Sequence, residues 1–280
     1  MSDSRYAAAF ARLAAAREGA FVPFTVLGDP DPETSLAVLE SFAAGGADML
    51  ELGIAFSDPV ADGPTIQAAD LRALAAGVTP PVALEVLAEF RRRHPELPLG
   101  LLLYANLVQR PGPQAFSRRL AAAGADSVLI ADLPPEEAAP FARAAKTAGI
   151  GLVSMVTPLT RPARLAAIAA RGGPYLYVVS RAGVTGRDAS LATTAAPLLA
   201  RLRAVTAIPT LLGFGIGKPA QVRAALAAGA TGAISGSAAV EIIARHAPAG
   251  RPGPRARRAL LAELADFTAA MKAATRRGGA

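Results

Sequence analysis

Eight short apolar runs recur along this chain, and each is followed by a stretch with helical periodicity. The runs are FVPFTVLG (21–28), DMLELGI (48–54), PLGLLLYAN (98–106), SVLIADL (127–133), GLVSMVTP (151–158), YLYVVS (175–180), PTLLGFGI (209–216) and GAISGSA (232–238). Amphipathic stretches cover 32–44, 79–93, 113–123, 135–148, 160–171, 191–204 and 218–228, with a last one from about 255 to 274. Several of them end in glycine just before the next run, as in GGAD (45–48), AGAD (123–126), AGIG (148–151) and AGAT (228–231), and glycine past a helix end turns the chain back. Strand, helix, strand with short connectors implies parallel strands and right-handed crossovers. Eight such units in one composition regime predict an α/β protein, a single (β/α)8 TIM barrel spanning residues 1–280 as one domain. The stretch MSDSRYAAAFARLAAAREG (1–19) reads as an extra N-terminal helix covering the barrel's bottom. An open doubly wound sheet is the alternative, but no GxGxxG opens the first strand–helix unit.

Composition narrows the chemistry. The chain has 280 residues, ordinary for one barrel, and 52% of them are hydrophobic. There is no cysteine, which removes disulfides and thiolate metal sites. The two histidines, His94 and His246, stand alone in what read as surface turns, so a histidine metal site or triad is not expected. The net charge is +7, with basic runs at RPGPRARR (251–258) and KAATRR (272–277). They lack interleaved aromatics and any nucleic-acid motif, and read as solvated helix surface rather than a nucleic-acid site. No apolar run reaches the ~20 residues that span a bilayer, and no signal peptide is legible, so the expected compartment is the cytoplasm.

Active-site groups of a barrel sit at the C-terminal strand ends and in the loops that follow. In the second run Leu50, Leu52 and Ile54 share one face, and Met49, Glu51 and Gly53 the other. Packing the leucines and isoleucine against helices aims Glu51 into the lumen. A buried carboxyl there is costly unless paired or used, and burial raises its pKa toward neutrality, which suits proton transfer. The other runs carry no lysine or arginine in their cores to pair with it. Asp58 and Asp62 follow in SDPVADGP (57–64). Asp-Pro and Asp-Gly favour turns, but a loop above a lumenal glutamate is also where a second acid–base group acts.

Late in the chain, LLGFGIGKP (211–219) and AISGSA (233–238) each end a strand in glycine and open a helix. Loops after the last two strands form the usual phosphate site of this barrel, because backbone N–H groups and the helix dipole favour an anion. Gly213, Gly215 and Gly217 permit close approach, while Lys218 is expected to point to solvent. The polar stretch SRAGVTGRDASL (180–191), with Gly183 and Gly186 as hinges, reads as a lid.

Together LELGIAFSDPVADGPTIQ (50–67), LRALAAGVTP (71–80), SRAGVTG (180–186), GFGI (213–216) and AISGSA (233–238) strongly resemble the α subunit of tryptophan synthase. The likeness runs from GAFVPF (19–24) to MKAATR (271–276). It implies a lyase that cleaves indole-3-glycerol phosphate to indole and glyceraldehyde 3-phosphate, with Glu51 and Asp62 as the acid–base pair. Phosphate contacts are implied at Gly186, Gly215, Gly236 and Ser237. Thr185 and Phe214 would join the substrate site, Tyr177 would pack near the glutamate and the indole, and Phe24, Leu102, Leu129 and Ile66 would shape the indole pocket. Asp58 would communicate with a β subunit, in an α2β2 heterotetramer. Pyridoxal phosphate is expected only in that partner, with no cofactor or metal in this chain. Ala55 replaces the family's usual proline, which is expected to loosen the loop entry, and Gly217 its usual serine; both bear on loop rigidity and on activity without the partner. The rivals are another phosphate-binding barrel such as an isomerase, a lyase that releases free indole without a partner, and a pseudo-subunit that only activates its partner.

Overall fold

Small residues past the helix ends bring each pass of the chain back toward the next strand. Gly124 and Gly229 adopt φ of 89° and 99° just beyond helices Pro113–Ala122 and Pro219–Ala227, a conformation L side chains rarely take. The computed structural model describes residues 4–179, 191–213 and 215–276, side chains at 191–194 excepted. Its strands are β1 (Ala20–Leu27), β2 (Leu50–Ile54), β3 (Leu99–Leu103), β4 (Ser127–Ile130), β5 (Gly151–Leu152), β6 (Ser154–Val156), β7 (Leu176–Val179), β8 (Thr210–Gly213) and β9 (Gly232–Ser235).

All the pairings are parallel, in the order β5-β4-β3-β2-β1-β9-β8-β7-β6. The two ends of that order, β5 and β6, are separated only by Val153 and form a single pass. Its first half pairs with β4 and its second with β7, so eight passes close the barrel. The expected (β/α)8 architecture is therefore observed.

The N-terminal helix Arg5–Ala15 buries Tyr6, Ala9 and Leu13, one face of a helical repeat. Tyr6 reaches the lumen: its hydroxyl lies 2.8 Å from Ser127 Oγ, and its ring lies 5.5 Å from that of Tyr175. Arg5 and Arg12 bind Asp126 and Asp48, which stand just before β4 and β2, so this helix covers the N-terminal strand ends as expected. Lys272 of the last helix, Pro254–Ala273, also binds Asp48. The opposite end of the barrel is left to the loops.

Three helices escaped the periodicity reading, one of them, Ser237–His246, expected only from the glycine motif that opens it. Pro64–Ala75 follows the second run directly, and Ala105–Gln109 follows the third. In the first of these the buried apolar positions Ile66, Ala69 and Ala73 keep helical spacing. Two of the three are alanines, which hardly stand out in an alanine-rich chain. His94 and His246 are half-buried rather than free at the surface, and each ring bonds a glutamate, Glu40 and Glu263 respectively. No single helix among the described residues is long and apolar enough to cross a membrane.

Candidate active site at the C-terminal end of the barrel

The alternation along β2 places its side chains as the pattern requires. Leu50, Leu52 and Ile54 are buried, and Glu51 is only 2% exposed. Glu51 stands in register with Phe24 of β1 and Gly100 of β3. Its partner is Tyr175, whose hydroxyl donates to Oε1 at 3.3 Å. Burial pushes the Glu51 carboxyl up to about 8; the Tyr175 hydrogen bond opposes this and the charge of Asp62 adds to it. Among the described residues no cation pairs with it. At neutral pH this carboxyl holds its proton.

Asp62 sits in the loop between β2 and helix Pro64–Ala75. Two turns shape that loop, with Val60 N donating to Asp58 O and Asp62 N to Pro59 O, both at 2.9 Å. Tyr104, at the end of β3, then holds it. Its hydroxyl donates to Asp62 Oδ2 at 2.6 Å and accepts from Ala61 N at 3.0 Å. Phe56, where the loop begins, stacks on the Tyr104 ring with centroids 5.4 Å apart. Gln67 Nε2 donates to the Asp62 carbonyl at 2.8 Å. Ala55 is buried, so the loop leaves β2 from a packed position. The loosening expected from Ala55 thus meets several tethers that local sequence did not reveal. Burial raises the Asp62 carboxyl, and the Tyr104 hydrogen bond offsets part of that rise.

A third carboxyl, Asp70, supports the loop from helix Pro64–Ala75. It is buried and accepts from the Phe56 backbone N–H. Burial first, then the charge of Asp62, pushes it up to about 8. The next turn of that helix is fastened by Arg72, which donates from Nε and Nη2 to the two carboxylate oxygens of Asp29, each at 2.8 Å. Tyr104, Asp70 and Tyr175 were not anticipated. Tyr175 alternates with Tyr177 in YLYVVS, a signal that two tyrosines share one strand face. Tyr104 carries no local signal, since only the pairing of β3 with β2 brings it to Asp62, and Asp70 lies on a helix that the periodicity did not reveal.

Phe24 and Leu102 stand in register with Glu51 and Gly53 of β2, and the charges of Glu51 and Asp62 reach Tyr177. Phe24, Leu129, Ile66 and Tyr177 are buried, and Leu102 is half-buried opposite Leu129 and Gly53. A Cβ on Gly53 would lie 3.1 Å from the Phe24 ring, and one on Gly236 3.5 Å from the same ring. Phe24 therefore spans from the β2 carboxylate side to the glycine loop after β9. Tyr177 lies over β8, where a Cβ on Gly213 would strike its hydroxyl.

At that end, Gly236 caps helix Ser237–His246 and no side chain closes its N-terminus. Ser237 is exposed, as is Gly215, which adopts φ of 75° with open space where a side chain would stand. Lys218 is exposed. Thr185, Gly186 and Phe214, with the whole of 180–190, lie outside the described residues. Asp58 is exposed in the loop after β2 and accepts from the Ser57 hydroxyl; its neighbour Val60 is 81% exposed. The described residues contain no group of three or more histidine, cysteine or carboxylate side chains placed to hold a metal ion.

Comparison with known proteins places this geometry in a family. Residues 10–275 match the family described as Tryptophan synthase alpha chain. The tryptophan synthase alpha chain of Shewanella oneidensis is 54% identical over 97% of this chain and 95% of its own. That of Vibrio cholerae is 52% identical over 98% and 99%. Among solved structures, tryptophan synthase of Mycobacterium tuberculosis superposes with a TM-score of 0.86 at 31% identity, covering 98% of this chain and 99% of the other. The tryptophan synthase complex of Pyrococcus furiosus gives 0.77 at 34% identity over 90% and 98%.

Proposed function

Because the chain belongs to the tryptophan synthase alpha chain family, we propose that Glu51 and Asp62 are the groups with which it cleaves indole-3-glycerol phosphate to indole and glyceraldehyde 3-phosphate. The carrying observation is a lumenal glutamate that is buried and without a cationic partner among the described residues, an environment that raises its carboxyl pKa.

The cleavage is a retro-aldol reaction. Glu51 starts protonated and gives its proton to C3 of the indole ring. The ring nitrogen then carries positive charge, which the Asp62 carboxylate stabilises through the indole N–H. The Glu51 carboxylate next removes the proton from the hydroxyl next to the ring. As the C–C bond breaks, its electron pair returns to the ring, the hydroxyl carbon becomes the aldehyde, and Glu51 is again protonated. A carboxyl with a pKa near working pH can serve in both directions. Phe24, Leu102, Leu129, Ile66 and Tyr177 form the apolar slot for the indole, and Gly215, Gly236 and Ser237 hold the phosphate, with Thr185, Gly186 and Phe214 assigned to the same substrate. No step uses a cofactor, and pyridoxal phosphate belongs to the β partner. We place the reaction in the cytoplasm, within amino-acid biosynthesis.

The test is an assay of indole release from indole-3-glycerol phosphate, with and without a β subunit. No indole in either condition removes the assignment. Ser237→Asp is expected to raise KM about tenfold or more, because it sets a carboxylate against the phosphate. The same change favours the N-terminus of helix Ser237–His246 through its dipole, so the melting temperature should hold or rise. An unchanged KM would count against phosphate at this loop.

The indole is passed to a β subunit, in a complex we take to be α2β2. Asp58 and Val60 stand exposed on the loop that carries Asp62, so contact at Asp58 reaches the catalytic carboxylate within four residues. A partner that binds the productive loop conformation raises its population and the rate in proportion. Asp58→Ala is expected to reduce the partner-induced gain more than the basal rate. A chain that turns over alone as fast as in the complex would support instead a self-sufficient, indole-releasing lyase.

A further inference from the structure

We propose that Gln221 and Ser235 are positioning residues that clamp one peptide unit between the two glycine loops and so preorganise the phosphate site. The proposal rests on the reading above that the phosphate lies against Gly215, Gly236 and Ser237.

The peptide unit joins Ile216 to Gly217, and both of its polar groups are held by side chains. Gln221 Oε1 accepts from Gly217 N at 2.8 Å and from Lys218 N at 2.9 Å. Ser235 Oγ, fully buried, donates to the Ile216 carbonyl at 2.6 Å. Gln221 belongs to helix Pro219–Ala227 after β8, whereas Ser235 ends β9 immediately before Gly236. The clamp thus joins the loop after β8 to the loop after β9. A Cβ on Gly217 would come within 3.2 Å of Ala238 Cβ, so the two loops also meet closely.

Two consequences follow. The Gly217 and Lys218 amides, which a helix N-terminus would otherwise offer to an anion, are satisfied inside the protein. The anion is therefore left to Gly215, just before the clamped peptide, and to Gly236 and Ser237, just after Ser235. A peptide held at both its C=O and its N–H cannot rotate freely, so it fixes the spacing of those donors before substrate arrives. Preorganisation of this kind lowers the cost of binding without touching the reacting atoms. Gly217, where the family usually has serine, is tied through its own amide.

The test uses the full chain with Gln221→Met, which keeps the side-chain length and removes the acceptor, and Ser235→Ala, which removes the hydroxyl. Steady-state indole release gives kcat and KM, inorganic phosphate is titrated as a competitor, and indole affinity is measured separately. Each variant is expected to raise KM and the phosphate inhibition constant together, about tenfold, for the loss of one or two hydrogen bonds. The change in kcat should stay within about twofold and indole affinity should be unchanged. The double variant should lose less than the product of the two, because both side chains hold one peptide. Unchanged KM and phosphate inhibition in both variants overturns the proposal, as does an equal loss of indole affinity, which marks general distortion. If Gln221→Met does not fold, Ser235→Ala alone decides. If phosphate does not compete in the unmodified chain, the placement of the phosphate itself fails. If it competes and Ser237→Asp abolishes the competition while both clamp variants leave it intact, the placement stands and the clamp fails.

Discussion

Glu51→Gln is expected to reduce turnover by about 10²–10⁴-fold, the usual contribution of a general acid–base group, and at the same time to make the folded protein more stable above about pH 5. The two effects have one cause. Glutamine keeps the shape of the side chain but can neither give a proton to C3 nor take one from the hydroxyl. The stability gain comes from the buried carboxyl. Its folded pKa is pushed from 4.5 up to about 8, chiefly by burial. Between those values the folded chain holds a proton that the unfolded chain has released, so wild-type stability falls as pH rises through this window. Below it, Glu51 is neutral in both states and costs nothing extra. Above it, ionising the buried group costs on the order of 3–5 kcal/mol. The glutamine variant lacks this slope. Denaturant unfolding of both proteins between pH 5 and pH 8.5 should show the variant's advantage growing toward high pH, and a constant difference would refute a neutral buried Glu51. The rate of the unmodified enzyme should likewise fall above about pH 8, as Glu51 loses its proton.

Asp62→Asn is expected to cost about 10²-fold or more in kcat with a smaller change in KM, because the lost charge matters most when the ring nitrogen becomes positive. Asparagine can still bond the Tyr104 hydroxyl, so the loop should stay in place. The residual activity should also report on Glu51. The Asp62 charge is one of the influences that raise the Glu51 pKa, so its removal should move the alkaline limb of the pH–rate profile to lower pH. Tyr104→Phe separates charge from position. It deletes the bonds to Asp62 Oδ2 and Ala61 N but leaves the Phe56 stacking and the carboxylate. A loss of about tenfold in kcat is expected, with the alkaline limb held. If Tyr104→Phe and Asp62→Asn cost equally and shift the profile equally, Asp62 acts by holding the loop and not by its charge.

The parts of this protein legible in the sequence were those governed by local periodicity. Alternation along residues 49–54 placed Glu51 in the lumen, eight apolar runs implied the closed barrel, and glycines at strand ends marked the loops after β8 and β9. Each signal depends on neighbours a few residues away, so a linear reading recovers it. The supports of the site were decided only by closure of the barrel. Tyr104 lies 42 residues from Asp62 and Tyr175 lies 124 from Glu51; nothing local marks Tyr104 as a partner, and the alternation that puts Tyr175 on the face of Tyr177 does not say which carboxyl it meets. Helix Pro64–Ala75, which carries Asp70, was hidden because its buried stripe is largely alanine. The Glu51 pKa belongs to the same class. It is set by how completely the surrounding strands and the N-terminal helix exclude water, a property of the packed barrel that no short segment possesses.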